Sequence, residues 1–417
     1  MVRRISLAGL LSLVCHVMAF SQPGDRISLH DAIEIALKNN PETIGARRSI
    51  DAAQGRYLRG ISPPPAELSV TYDYIPAGRG IASFGERVFG ISQSFDFPTT
   101  IALRGSALSS EVRATEADAR SVSYVVRRQV TEAYYAVLAR EQKLQLAEEN
   151  LRIASDFAQK AEIRHAVGEG TSLEQLTARV QRTQAQSDVE SAGNERVKAV
   201  NALHFALGRG IEQSVRDYML LDSLAYRPQS YDIDSLIQRA YHSNAQLQAA
   251  AFRRDAASVN RGIAWSSLLP DFNASYALYR HETGAASYGV ALGISVPIWF
   301  MFDQRGKIQE AAATYSIVEA ELTARRNFLN AEVRNAYLDF HNAERQVKLC
   351  QEELLPQAEE VHRVAASSYQ AGESTYLEFL QARQTLISVR GTTIDALVNY
   401  HSAVARLEYA VGKPINE

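Results

Sequence analysis

The chain has 417 residues, and its 44 Lys+Arg against 47 Asp+Glu leave a formal charge of −3, which excludes a protein held to nucleic acid by bulk electrostatics. With 12 Pro, 23 Gly and 8% aromatic residues, it is built for long regular elements with few turns. Mean hydropathy is −0.19, and past the N-terminus no run of about 18 apolar residues occurs, which excludes a polytopic helical membrane protein but leaves membrane β-strands open.

Residues 1–21 read as a secretory signal: Arg3 and Arg4 open it, Ile5 to Phe20 form its apolar stretch, and Ala19 and Ser21 sit three residues and one residue before a cut ahead of Gln22. The alternative is a lipoprotein signal acylated at Cys15, although Leu13 and Val14 stand where that signal needs small residues. Export leaves Cys350 as the single cysteine, so neither an internal disulfide nor a zinc cluster is expected, and Cys350 reads as a small packing residue in a helix.

The mature chain reads as one unit used twice. Ile33, Ala36 and Asn40 recur as Ile237, Ala240 and Asn244, and Tyr72, Gly168, Leu173, Ala178, Arg179 and Gly208 recur as Tyr276, Gly372, Leu377, Ala382, Arg383 and Gly412, all at one offset. The predicted division is a first repeat over 22–208, a linker over 209–232, a second repeat over 233–412 and a tail over 413–417. Each repeat opens with a helix, Leu29 to Arg59 or Ile233 to Ser266, stopped by Pro63 to Pro65 or by Pro270. A β-hairpin follows, over 67–97 or 271–298, with period-two alternation. Its apolar set comprises Leu68, Val70, Tyr72, Tyr74, Phe89 and Ile91, then Phe272, Tyr276, Leu278, Tyr288, Val290, Leu292 and Ile294. A long helical hairpin closes each repeat, over 101–207 or 302–411. Its first helix is predicted over Ile101 to Val167 in one copy, close to 100 Å at about 1.5 Å per residue, and over Phe302 onwards in the other, with a kink or remodelled turn at Pro356. Gly168 and Gly372 mark the hairpin tips, with Thr171 and Ser374 or Thr375 as N-caps of the returning helices.

Four amphipathic strands cannot close a barrel, and an open sheet in lipid would leave unpaired edges. Three chains supply twelve strands, whose Tyr, Phe, Leu and Val faces meet lipid while Ser, Asp, Asn and Gly faces line water. The expected fold is therefore mainly α with a membrane β-barrel portion: long helical hairpins in a trimeric helical barrel, four strands per chain in a 12-stranded barrel, and an internal duplication.

The opening Leu29-x-x-Ala32-Ile33-x-x-Ala36-Leu37-x-x-Asn40-Pro41, the paired glycine tips and the closing Ala-Leu-Gly at 206–208 and Ala-Val-Gly at 410–412 together resemble the TolC-like outer-membrane efflux family. The resemblance covers nearly the whole mature chain. It implies a homotrimeric exit duct in the cell outer membrane, with its helical portion in the periplasm, docked on a periplasmic adaptor and an inner-membrane pump. It also implies no enzymatic activity and no cofactor. The run Ile91 to Thr100 further resembles the branch that serves resistance-nodulation-division pumps for heavy-metal cations, while drug efflux and type I secretion remain alternatives.

Tyr369-x-x-Gly372-x-x-Thr375-x-x-Glu378-x-x-Gln381 matches the family's tip pattern, whose inward acidic positions correspond to Glu378 and Gln381. Glu378, Gln381, Glu174 and Tyr369 are the pore or gate candidates. Glu378 and Glu174 also stand at capping-box distance from their N-caps, and Tyr369 is placed either to hydrogen-bond Glu174 as a latch or to pack between helices. Val167, Gly168, Leu173, Ala371, Gly372 and Leu377 are candidates for adaptor docking. His165, His242, His281, His341, His362 and His401 are scattered without ligand spacing, so no metal site is assigned. A periplasmic coiled-coil scaffold or adaptor is the competing class, but it does not require lipid-ready strands.

Overall fold

A computed structural model describes residues 26–209, 219–297 and 301–414. The export signal with Cys15, part of the linker and the end of the tail lie outside the described residues. Strand β1 (Arg26–Ile27) leads into α1 (Leu29–Asn39) and α2 (Pro41–Ile61), then β2 (Glu67–Asp73) and β3 (Glu86–Phe95). Helix α3 (Pro98–Ala166) and α4 (Ser172–Ala206) follow, and β4 (Met219–Leu220) opens the described part of the linker. The same order then recurs: α5 (Ile233–Ser243), α6 (Ala245–Ser266), β5 (Asp271–His281), β6 (Ala286–Ser295), α7 (Asp303–Lys348), α8 (Leu355–Ala371) and α9 (Tyr376–Val411). The molecule is predominantly helical, and no helix among the described residues is long and apolar enough to cross a membrane.

The two opening helices are each broken, where one continuous helix was expected. The break falls at Asn40 and at Asn244, both extended and both 5% exposed. Asn40 Oδ1 accepts the Glu42 N–H at 2.8 Å while its Nδ2 donates to the Ala206 carbonyl at 3.0 Å. Asn244 repeats this with the Leu247 N–H and the Ala410 carbonyl, each at 3.0 Å. One amide thus caps the start of α2 or α6 and the end of α4 or α9, so the returning helix of each repeat ends against the start of that repeat's second helix. Only a side chain that both accepts and donates can do this.

Helix α3 has 69 residues, a length that needs packing along it. Its buried positions are Ala107, Ala114, Ala117 and Ala119 near the sheet, Val126, Val130, Tyr134, Val137 and Leu138 at mid-height, and Ala154, Ala158 and Ala161 toward the tip. Small residues bring neighbouring helices close, whereas the larger ones fill a mid-height core with Leu203, Leu329, Val333, Phe340, Tyr400 and Leu407. The second long helix is interrupted before Pro356 by a widened π-turn over Leu349–Leu354, in which the Leu355 N–H donates to the Cys350 carbonyl. The turn reroutes the hydrogen-bond ladder just ahead of the residue that has no N–H, so the expected remodelling is this bulge. Cys350 is buried inside it at 1% exposure, and burial pushes its thiol up.

The described part of the linker past residue 218 is a belt fastened to the helices. Strand β4 pairs in parallel with β1. Asp222 accepts the Leu29 N–H at 2.7 Å and the Tyr134 hydroxyl at 2.9 Å. Further along, Tyr400 donates to the Arg227 carbonyl at 2.6 Å and Tyr226 to buried Glu344 at 2.9 Å. Part-buried His401 stacks on Tyr135 with ring centroids 3.8 Å apart and meets the Ala225 carbonyl through Nε2 at 3.1 Å. Burial, aided by the charge of Arg227, pushes the imidazole down to about 4. A group whose folded pKa is depressed binds its proton more readily when unfolded, so the fold loses stability as pH drops from about 6.5 toward 4. Urea unfolding at pH 7 and pH 4.5 is expected to show a loss of about 2–3 kcal/mol per chain that His401→Gln removes; an unchanged pH slope in that variant would contradict this assignment.

Candidate functional site

The sheet has the strand order β2-β3-β5-β6, antiparallel throughout, so one hairpin pairs with the other through β3 and β5. Its register aligns the predicted apolar residues in rows. Leu68, Ile91, Tyr276 and Val290 form one row, and Val70, Phe89, Leu278 and Tyr288 the next. Phe95, Phe272 and Ile294 form a further row toward the helices. Since side chains alternate strictly, all these rows share one face. The opposite face carries Glu67, Ser92, Ser275 and Ala291 in one row and Ser69, Gly90, Ala277 and Gly289 in the next.

Tyr74 is a correction. It lies past the end of β2, with φ at +54°, because pairing stops at Asp73 opposite Glu86 and the chain turns out of the ladder there. Tyr72 keeps its place on the apolar face, directly across from Arg87.

Nothing among the described residues covers that face. Leu68, Tyr288, Val290, Leu292 and Ile294 are between 63% and 83% exposed. Strands β2 and β6 are both free edges. A contiguous apolar face with two unpaired edges is a surface waiting for partners on its edges and an apolar medium on its face.

The second site lies at the far ends of the helices. Gly168 and Gly372 adopt φ of +82° and +77° and end α3 and α8, and neither has a neighbouring atom within 4 Å of the place a Cβ would take. Val167, Leu173 and Leu377 are 65%, 76% and 70% exposed, with Ala371 exposed beside them. Ile163, Leu176 and Val180, absent from the predicted set, add to the same exposed apolar stretch on α3 and α4. They recur at helical spacing beside the tip, a signal that could have singled them out.

The two acidic candidates behave differently. Glu378 closes a capping box with Thr375, its carboxylate accepting the Thr375 N–H at 2.8 Å. Glu174 leaves its own N-cap unanswered: Thr171 accepts the Glu174 N–H, but the Glu174 carboxylate turns to Tyr369, whose hydroxyl donates to it at 3.2 Å. Arg164 completes a triangle, reaching Glu174 and the Tyr369 oxygen at 3.2 Å each. Tyr369 therefore ties the end of α8 to the start of α4. Burial and the neighbouring Glu174 charge push its phenol up. Tyr369 also packs among Phe157 and Phe379, while Phe157 stacks on Tyr376 at 4.5 Å, so the contact rests on an aromatic cluster. Gln381 is exposed one turn further along α9.

Just above this cluster, Arg383 is 5% exposed and donates to the Asn150 carbonyl at 2.6 Å and to the Asn150 side chain. Desolvation pulls its pKa down. Neither Arg164 nor Arg383 was picked out by sequence reasoning as a site residue, because a single Arg in a charged helix carries no pattern of its own. Among the described residues no group of three or more His, Cys, Asp or Glu is placed to hold a metal ion.

Long paired helices ending in tied tips are joined to an open sheet with one uncovered apolar face. The model of the outer membrane efflux protein family matches residues 82–209 and 236–413, and the chain belongs to that family. Its relatives include the cobalt-zinc-cadmium resistance protein CzcC of Cupriavidus metallidurans, 22% identical over 93% of this chain and 90% of that protein. Another is the pyoverdine export outer membrane protein OpmQ of Pseudomonas putida, 23% identical over 94% of this chain and 87% of its own. The outer membrane protein VceC of Vibrio cholerae shares the fold, with a TM-score of 0.76, 20% identity and coverage of 92% and 96%.

Proposed function

We propose that the protein is the outer-membrane exit duct of a tripartite efflux system, built as a homotrimer of a duplicated unit. Strand β2 of one copy pairs with β6 of the next, closing a 12-stranded barrel with its apolar face in outer-membrane lipid. The helical hairpins close a second tube in the periplasm, and substrates pass through without chemistry. The observation that carries this reading is the register, which gathers every paired apolar candidate onto one uncovered face between two free edges.

The tips, with Val167, Gly168, Leu173, Ala371, Gly372 and Leu377, are the proposed seat of a periplasmic adaptor, behind which an inner-membrane pump supplies the energy. Glu174 and Tyr369 are the proposed latch, and Glu378, with Gln381 beside it, lines the opening. Three copies of Glu378 around an axis would favour cations and repel one another. Heavy-metal cations are the proposed cargo, supported by the likeness to CzcC along most of both chains; the likeness to OpmQ favours an organic export cargo as the second reading.

Extraction without boiling is expected to yield a trimer from the outer-membrane fraction. A water-soluble monomer would overturn the duct. Deleting the gene is expected to sensitise cells to cobalt, zinc or cadmium; unchanged metal tolerance with impaired export of an organic compound would select the second reading.

A further inference from the structure

Tyr72, Arg87, Arg280 and Ala286 stand in one row across β2, β3, β5 and β6. This row belongs to the apolar face, directly beyond the row of Val70, Phe89, Leu278 and Tyr288, at the end of the sheet away from the helices. Two guanidinium groups are therefore direct cross-strand neighbours on a surface otherwise made mostly of aliphatic and aromatic side chains. Like charges so placed repel each other, and a cation on a lipid face is tolerated only near the membrane interface. The nine residues from Arg87 to Phe95 rise about 26 Å along the strand at roughly 3.3 Å per step, which at the tilt of a barrel strand is about 20 Å of height and crosses most of an apolar band about 25 Å tall. When the Phe95 and Phe272 row lies at the inner interface, the arginine row lies at the outer one.

No carboxylate of the described residues pairs with either arginine. The next row holds Asp73, Glu86 and His281, but it points to the opposite face, where Glu86 meets His281 Nδ1 at 3.3 Å. Arg87 lies instead over the rings of Phe84 and Phe89, at 5.4 Å and 5.0 Å, with its Nε buried and without a hydrogen-bond partner. Tyr72 meets Phe84 edge-on at 5.2 Å. The aromatic rings hold one guanidinium in place, and Arg280 stays exposed beside it.

We propose that Arg87 and Arg280 form a binding site for the phosphate of an outer-leaflet lipid headgroup, repeated in each copy around the barrel. This rests on the reading that the apolar face meets lipid. A phosphate between the two arginines cancels their repulsion and matches their forked donors. The apolar rows alongside suit acyl chains, which a free phosphate ion lacks, so a lipid is the occupant.

The test uses the full-length protein extracted from membranes in non-ionic detergent. It is incubated with lipid A carrying both phosphates, with the same lipid dephosphorylated, or with inorganic phosphate, and the bound ligand is counted after gel filtration. The unaltered protein is expected to retain phosphorylated lipid A over the dephosphorylated lipid. Arg87→Gln with Arg280→Gln is expected to weaken that retention about thirtyfold, taking about fivefold for each basic residue at a membrane surface. Arg280→Lys, which keeps the charge, is expected to keep most of it. The double variant is also expected to melt no earlier than the unaltered protein in lipid-free detergent, since it loses a like-charge pair. Equal retention of the two lipids, undiminished retention by the double variant, or equally tight inorganic phosphate would each overturn the site. Failure of the unaltered chain to enter the membrane fraction at all would overturn the duct itself, an outcome distinct from these.

Discussion

Alanine in place of Gly412 is expected to lower stability by about 3–5 kcal/mol, and alanine at Gly208 by at least as much. The same change at Gly168 or Gly372 is expected to cost about 1–2 kcal/mol. All four glycines hold φ between +73° and +82°, so left-handed strain is common to them. Space is not. A Cβ on Gly208 would sit 2.6 Å from the Asn39 oxygen and the Asn40 Cα, and one on Gly412 would sit 2.8 Å from the Asn244 Cα. These are backbone atoms of a helix joint and cannot step aside as a side chain can. At the tips nothing lies within 4 Å. Thermal unfolding of the four variants should therefore separate into two classes, and a single common midpoint would mean that the joints are soft. Asn244→Asp should fall with the severe class, because it sets a carboxylate against the Ala410 carbonyl that the amide now satisfies.

Glu174→Ala is expected to raise the resting conductance of the channel on the order of a hundredfold. Glu174 is the acceptor for both Tyr369 and Arg164, and its side chain is only 15% exposed. A part-buried hydrogen bond of this kind contributes about 1 kcal/mol. If the three copies open together, the contributions add to about 3 kcal/mol, or roughly two decades in the ratio of open to closed states. Tyr369→Phe keeps the packing on Phe157 and Phe379 but removes both bonds that cross from α8 to the first hairpin, since the Arg164–Glu174 pair lies within that hairpin, so its effect should be of the same order. Single-channel recordings in a planar bilayer measure both. An unaltered resting conductance in Glu174→Ala would remove the triangle from the gate and leave it a structural tie.

Much of this fold was written in recurrences. Asn40 with Asn244 and Gly208 with Gly412 repeat at one offset because Asn40 meets Gly208 at one helix joint and Asn244 meets Gly412 at its counterpart. The strand pattern was equally readable, since a half-apolar face demands period two, and only Tyr74 stepped out of it where the ladder ended. The break after α1 also left a mark, because a residue before Pro41 avoids helical geometry. Its counterpart at Asn244 is followed by Ala245 and carries no local mark at all. The bulge at Leu349–Leu354 was foreshadowed by Pro356, but not its π geometry, which depends on how the neighbouring helices tolerate an extra residue. Glu174 and Glu378 looked alike in sequence and part company in space, because only the first tip has an arginine one turn before its glycine and a tyrosine from the other hairpin within reach. Such contacts join residues about 200 positions apart; the tip positions put forward the bond from Tyr369 to Glu174, but nothing local announces Arg164.

The pairing of β1 with β4 has a consequence for how the protein is made. Ile27 offers its carbonyl to the Leu221 N–H, and Leu29 gives its N–H to Asp222. A chain delivered from its N-terminus cannot complete these bonds until nearly two hundred further residues have emerged. Throughout that interval the strand and the first N–H of α1 lack these partners, although α3, against which α1 packs, emerges sooner. The junction of β1 with α1, near the start of the described chain, is thus among the last parts of the fold to be completed.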